Sequence, residues 1–96
     1  MKHCIIVKFT EGTDCRALEE PVRRLFGRTL SIPGVRGVDV HLSNSERPNR
    51  YDMMIVMDMD KEALGAYDVS EPHLRWKAEY GGVIAKKAIF DCDGAL

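Results

Sequence analysis

Three residue types that can take part in chemistry fall within ten positions near the end of the chain. The segment YDVSEPHLRW, residues 67–76, contains Tyr67, His73 and the only tryptophan, Trp76. A histidine imidazole has an ordinary pKa near 6.5, so at neutral pH it can accept or return a proton. The alternative is structural, because on a helix His73 shares a face with Trp76 and Tyr80, and such an aromatic stripe packs against a sheet. The sequence leaves both interpretations open.

Other candidate residues have simpler explanations. His3 would stand at the end of a strand and face a half-polar rim, and His41 would face solvent. The acidic residues of the segment DMDKE, residues 58–62, match no calcium-loop spacing. The chain has no Gly-rich phosphate loop and no Ser/His/Asp or Cys/His signature. We therefore expect neither a metal nor a cofactor.

Length and composition predict one small domain over residues 1–96. The net charge of −1 argues against a nucleic-acid partner, which usually requires a basic surplus. Near the N-terminus the unbroken apolar run is only Ile5–Val7, shorter than the roughly 7–15 residues of a secretory signal. No run approaches the roughly 20 apolar residues of a membrane span. These features predict a cytoplasmic protein without a membrane partner.

The three cysteines, Cys4, Cys15 and Cys92, form no CxxC pair and no ligand cluster. We expect reduced thiols that pack as small apolar side chains. Cys4 and Cys92 would approach each other if the first and last strands pair.

Hydrophobic periodicity predicts the elements. Alternation indicates strands over residues 3–9, 35–42, 51–59 and 83–92, the last with the lysines typical of an edge strand. Helical spacing covers residues 15–30, capped by Thr13 or Asp14, and Pro21 predicts a kinked or two-part helix. A short helix capped by Asp60 and a second one capped by Ser70 follow. The order β-α-β-β-α-β is that of a ferredoxin-like α+β fold with a four-stranded antiparallel sheet.

Two of the strands are apolar on both faces. In YDMMIVMDMD, residues 51–60, every odd position is apolar and the even positions are apolar in the middle. A strand covered on both sides has this pattern. Since the helices cover only one side of such a sheet, the other side requires a partner, and we predict a homodimer with the two sheets face to face.

The segments KHCIIVKF, IPGV, YDMMIVMDMDKEALGAY and the helix that opens with PH resemble the stress-responsive dimeric α/β-barrel (Dabb) family. The resemblance extends over residues 2–91. It implies a ferredoxin-like protomer that forms a homodimeric α/β barrel, with a cavity suited to an apolar small molecule. Family membership implies no single activity.

One branch of that family, the olivetolic acid cyclase-like polyketide cyclases, implies specific roles. By motif, its catalytic residues match His3, Tyr67 and His73. A neutral imidazole would remove a proton next to a carbonyl group, and the tyrosine hydroxyl would hold the enolate oxygen. The chain departs from the branch where Ser70 and Glu71 replace a His-Pro pair and where Leu25 replaces a tyrosine.

The sequence favours a homodimeric small-molecule-binding protein of the stress-response type, without an assigned activity. The alternative is a cofactor-independent proton-transfer enzyme, a cyclase or an isomerase, that uses His3, Tyr67 and His73. An RNA-binding module with the same strand order is disfavoured, because the central strands carry aliphatic and methionine side chains in place of base-stacking aromatics.

Overall fold

The fold was obtained as a computed structural model that describes residues 1–94. The elements, in chain order, are β1 (Lys2–Phe9), α1 (Cys15–Gly27), a 3₁₀ turn (Arg28–Ser31), β2 (Val35–Leu42), β3 (Met53–Met59), a 3₁₀ turn (Lys61–Ala63), α2 (Leu64–Asp68), α3 (Glu71–Tyr80), a 3₁₀ turn (Gly81–Val83) and β4 (Ile84–Cys92). The predicted ferredoxin-like α+β order is confirmed.

The four strands form one antiparallel sheet in the order β2-β3-β1-β4. The two strands whose sequences are apolar on both faces, β1 and β3, are therefore the central ones. Ile5 lies directly opposite Ile55 on one side and Ile89 on the other. The lysine-bearing strand β4 is an edge strand, as its composition predicts.

All three helices cover the same face of the sheet, and the core lies between them. The sheet contributes to the core the odd-numbered side chains of β1 and β3, such as Val7 and Met57, which are fully buried. Helix α1 contributes Val22, Leu25 and Phe26. Each buried aliphatic side chain of this size stabilises the fold by about 1.5–3 kcal/mol. The strand predicted over residues 51–59 begins two residues later, at Met53, and the apolar Tyr51 before it is 38% exposed.

Pro21 does not divide α1. The helix runs without interruption from Cys15 to Gly27, so the two-part form is not observed. Asp14 is the N-cap, and its carboxylate accepts a hydrogen bond of 3.2 Å from the Ala17 amide. Proline has no N–H group, so the helix lacks one backbone hydrogen bond at Pro21. The side-chain cap of the first turn and the buried side chains after Pro21 offset this loss.

The second half of the chain is positioned by a close backbone approach and a cap. Gly34 has φ +93°, and a Cβ there would lie 3.0 Å from Ala63 Cβ, so a larger residue would push the β2 entry away from the turn before α2. Asp60 does not cap that turn with its side chain, contrary to expectation. Its carboxylate instead accepts a 2.5 Å bond from Arg36. Ser70 caps α3 as predicted, accepting from the His73 amide at 3.4 Å.

The face of the sheet opposite the helices carries no covering element within residues 1–94. Its middle is apolar, with Cys4, Ile6, Met54, Val56, Ala88 and Phe90 in two adjacent rows. Phe90 is 58% exposed. We call this set the open face. In the described part of the chain, no helix has the length and apolar character that crossing a bilayer requires.

The cysteine thiols are free. Cys4 and Cys92 both lie on the open face, on the adjacent strands β1 and β4. They are not directly opposite each other: Cys4 is opposite Phe90, and Cys92 is opposite Lys2. Burial, with a smaller contribution from Cys92, raises the pKa of the Cys4 thiol. A raised pKa keeps this thiol protonated, in keeping with an apolar packing role.

Candidate functional site

A cavity of about 260 Å³ lies where the helices leave the β4 edge of the sheet partly uncovered. The sheet contributes residues from β1 and β4, and the helical layer contributes residues from α2 and α3. Its lining consists of His3, Ile5, Leu64, Tyr67, Asp68, His73, Trp76, Lys87, Ile89 and Asp91. The three residues predicted to be catalytic, which lie up to 70 positions apart in the sequence, are all among them.

His3 forms the sheet side of the cavity. It occupies a helix-facing position on β1 and is only 6% exposed. Its Nδ1 lies 2.5 Å from Asp91 Oδ1 on the neighbouring strand, directly opposite in register. A carboxylate oxygen only accepts, so Nδ1 donates this hydrogen bond. In the neutral tautomer with its proton on Nδ1, Nε2 has the lone pair. In place of the expected position at a half-polar rim, the fold produces a buried imidazole held by a carboxylate.

Tyr67 forms the inner wall, on the last turn of α2, and is 1% exposed. Its hydroxyl is buried, and no residue among 1–94 provides a hydrogen-bond partner for it. Leaving such a group unpaired costs about 1–3 kcal/mol, so an unpaired buried hydroxyl requires an explanation. Burial, followed by the charge of Asp68, raises the pKa of Tyr67 well above its ordinary value. The phenol therefore stays protonated at neutral pH and can donate a hydrogen bond.

His73 stands in the first turn of α3, on the third wall. Its Nδ1 lies 2.8 Å from the backbone oxygen of Asp68, which can only accept. The proton of the neutral ring is therefore on Nδ1, and Nε2 is again left as an acceptor. The structural role considered from the sequence is also present: Trp76 packs on Tyr80 at 5.2 Å and on Phe26 at 5.1 Å between ring centroids. His73 shares a helix face with Trp76 and Tyr80 by its spacing, and its ring packs on Tyr67 at the cavity.

The three side chains form one contiguous group with Tyr67 in the centre. The ring centroids of Tyr67 and His73 are 4.6 Å apart, and those of His3 and Tyr67 are 5.5 Å apart. Two imidazoles, each with Nδ1 engaged, thus flank one protonated phenol. Such a group can accept a proton at one position and donate a hydrogen bond at another.

Other candidates lie elsewhere. His41 is exposed and points away from the helical layer, opposite Met54 on the other face of the sheet. Leu25, which stands where the cyclases have a tyrosine, is part of the packed core and does not line the cavity. Within residues 1–94, no three or more His, Cys, Asp or Glu side chains are arranged to hold a metal ion.

Asp91 is the functional candidate that the sequence analysis missed. A signal for it exists, because alternation along β4 puts Lys87, Ile89 and Asp91 on one face. If the first and last strands pair with their ends matched, Asp91 falls opposite His3. No local pattern in either strand sets that register, so Asp91 is absent from the predicted site.

The sheet order and the helix placement define a ferredoxin-like α+β fold, and comparison with solved structures agrees. The chain is similar to a dimeric protein of unknown function and ferredoxin-like fold from Bacteroides fragilis, with a TM-score of 0.79 and 11% identity over 97% of this chain and 94% of that chain. It is also similar to a Dabb family protein with a ferredoxin-like fold from Mesorhizobium loti, with a TM-score of 0.64 and 17% identity over 98% of this chain and 95% of that chain.

A third similar structure is a hydroxynitrile lyase from Passiflora edulis, with a TM-score of 0.71 and 10% identity over 93% of this chain and 87% of that chain. No family model matches the chain, and no curated protein matches it either. At these identities the similarity establishes the fold. The resemblance to the Dabb family is thereby confirmed as a likeness in structure.

Proposed function

We propose that this protein is a homodimeric, cofactor-independent enzyme that transfers a proton at a carbon next to a carbonyl group of a small molecule. The observation that carries the proposal is the buried, unpartnered hydroxyl of Tyr67, whose ring lies between two imidazoles that line the same cavity. A substrate carbonyl oxygen is the acceptor that this hydroxyl lacks. The cost of burying it would then be offset when substrate binds.

In the proposed reaction the carbon–hydrogen bond next to the carbonyl breaks. The proton moves to Nε2 of an imidazole, and the electron pair passes into an enolate whose oxygen accepts a hydrogen bond from Tyr67. His3 is the preferred base, because a carboxylate on Nδ1 stabilises the imidazolium that forms. Return of the proton to carbon completes an exchange or an isomerisation. The residues of the chain itself are sufficient for these steps.

The dimer is part of the proposal. The open face is apolar in its middle and has no covering element, with Phe90 exposed and Ile6 and Met54 half-buried, and exposed apolar surface marks interaction sites. The similar protein from Bacteroides fragilis is itself dimeric. A second copy packed sheet to sheet would cover Ile6, Met54 and Phe90 and enclose a barrel-like core. A cytoplasmic location and a stress-response role stay predictions from the sequence and its resemblance.

Binding of an apolar small molecule without turnover is the second candidate. Ile5, Leu64, Trp76 and Ile89 give the cavity a largely apolar lining, which suits a ligand in either case. The two candidates share the cavity and differ in whether the imidazoles exchange a proton with the ligand.

The test is deuterium uptake by phenylacetone in D₂O, followed by NMR with wild-type protein. We expect exchange next to the carbonyl well above the buffer rate. His3→Ala and His73→Ala should each lower the rate by about 10²–10⁴-fold, the usual contribution of a positioned acid or base. His41→Ala is the matched control, since His41 lies outside the cavity, and it should keep the wild-type rate.

Exchange by the wild type at the buffer rate, over a panel of small ketones that bind by NMR, would leave binding without turnover as the function. Equal loss in all three variants would contradict the assigned roles. Circular dichroism on each variant separates lost chemistry from lost folding.

A further inference from the structure

A second cavity of about 230 Å³ adjoins the candidate active site along β4. Its lining is Trp76, Lys77, Gly81, Ile84 and Lys87. Two of these residues, Trp76 and Lys87, also line the first cavity. The two cavities therefore adjoin each other along α3 and the edge strand, and we call them together the groove, with the histidines and Tyr67 at one end.

The charges of the second cavity have one sign. Lys77 approaches it from α3 and Lys87 from β4, and its lining contains no acidic side chain. Both lysines are exposed, and within residues 1–94 neither takes part in an ion pair. The acidic lining residues, Asp68 and Asp91, belong only to the first cavity, and Asp91 is bound by His3. An anion placed at the second cavity would thus meet two cations on opposite walls.

We propose that the second cavity is an anion subsite, and that the natural substrate carries a terminal carboxylate or phosphate. This inference rests on the proposed function, since it assigns the other end of the substrate to the catalytic group. The apolar wall formed by Trp76 and Ile84 suits an uncharged chain or ring between the two ends.

The spacing sets the length of the substrate. Lys87 and Asp91 are four residues apart on one strand, which corresponds to about 13 Å between their Cα atoms. A molecule that reaches from the His3–Asp91 end of the first cavity to Lys87 must therefore be extended. Short ketones such as phenylacetone would fill the catalytic end only.

The experiment compares three extended ketones: 9-oxodecanoate, its methyl ester and 9-oxodecyl phosphate. Dissociation constants are measured by isothermal titration calorimetry for wild type, Lys87→Gln, Lys77→Gln and the control Lys86→Gln. Lys86 is the neighbour of Lys87 on β4, but it lies opposite Lys8 and faces away from the groove. We expect the acid to bind about tenfold more tightly than the ester, the effect of two partly exposed charge pairs. Raising the salt concentration should reduce that difference.

The preference should disappear in Lys87→Gln and shrink in Lys77→Gln, and Lys86→Gln should keep it. Tighter binding of the phosphate than of the acid would identify phosphate as the anion, and the reverse order would identify carboxylate. Equal binding of acid and ester, or a preference that survives both cavity variants, would overturn the subsite. A preserved preference without deuterium exchange of any ketone would refute the proposed enzyme and leave the subsite standing.

Discussion

The two faces of the sheet differ in what covers them, although their sequences are built on the same alternation. The helix-covered face carries the odd-numbered residues of β1 and β3, which are buried in the core, and next to them the cavity with His3, Tyr67 and His73. The open face carries apolar residues of similar size, and among them Phe90 is largely exposed. Its histidine, His41, is solvent-facing.

This difference separates two tasks. On the covered face, three helices bury the sheet but leave the β4 edge partly free, so a hollow with reactive groups remains. On the open face, the apolar surface offers area, and its cavity beside Ile6 and Met54 contains none of the three candidate residues. In the proposed function, chemistry uses the incompletely filled side of the sheet, and association uses the bare side.

Phe90→Asp, on the open face, should have the largest effect, and the property it should change is the stability of the dimer. The substitution places a carboxylate on the predicted interface, where an uncompensated buried charge costs about 3–5 kcal/mol. We expect the dimer dissociation constant to rise by at least about a hundredfold, measured by sedimentation equilibrium. Since the cavity is formed by a single chain on the other face, the folded monomer should keep its deuterium exchange per chain.

Leu74→Asp is the control for this prediction. Leu74 is also an exposed large apolar residue, but it lies on α3 and away from the open face. An unchanged dimer in both variants, or a wild-type chain that sediments as a monomer at micromolar concentration, would contradict a sheet-to-sheet interface.

Much of the fold was predictable because it depends on local patterns. The all-apolar middle of residues 53–57 correctly indicates a central strand, and Ser70 before Glu71 and Pro72 correctly marks the start of α3. Local rules fail where tertiary contacts compete. Pro21 is kept inside a continuous helix, and Asp60 binds Arg36 across the sheet edge in place of capping the turn that follows it.

The site was predictable only in part. The resemblance predicted His3, Tyr67 and His73 as site residues, and these three line one cavity. Spacing within residues 67–76 explains why two of them are close. The contact between His3 and Asp91 depends on the register of the first strand with the last, which no local pattern contains. The missing partner of the Tyr67 hydroxyl is likewise a property of the packed structure.

Asp91→Asn should have a smaller effect, confined to the covered face. It keeps the shape of the side chain but removes the charge that stabilises the His3 imidazolium. Loss of the hydrogen-bond partner of a metal-bound histidine typically costs about 10–100-fold, and we expect a similar fall for His3. We expect this fall in the exchange rate at saturating ketone, with an unchanged dissociation constant for the ketone.

Asp93→Asn is the matched control, because Asp93 follows β4 and lies outside the cavity lining. If Asp91→Asn weakens ketone binding and leaves the saturated rate as it is, Asp91 shapes the cavity and does not act through His3.

Tyr67→Phe should have the smallest of the three effects, a small change in the stability of the fold. Most substitutions of buried residues destabilise a protein, and this one should not. It removes a buried hydroxyl without a partner and keeps the ring, so the free energy of unfolding at pH 7 should stay level or rise by about 1–2 kcal/mol. The pKa of Tyr67 is raised in the folded chain, so above the ordinary tyrosine pKa of about 10 the unfolded chain releases this proton first. Wild-type stability should therefore fall by up to about 1.4 kcal/mol for each pH unit above that value on account of this group.

Tyr67→Phe should not show this part of the fall in stability with rising pH. Urea titrations of both proteins at pH 7, 10 and 11 measure the free energy of unfolding and so the difference between them. Other groups with raised pKa values, such as the Cys4 thiol, contribute equally to both proteins. A Tyr67→Phe protein that is clearly less stable at pH 7 would mean that the hydroxyl has a partner in solution.

The most direct test of the central claim is the deuterium exchange rate of Tyr67→Phe, measured with phenylacetone on protein shown by sedimentation and circular dichroism to be folded and dimeric. Because the variant lacks only the donor to the enolate oxygen, we predict a fall of about 10²–10³-fold relative to wild type. An exchange rate equal to that of the wild type would contradict the account, since the unpartnered hydroxyl would then have no part in the chemistry.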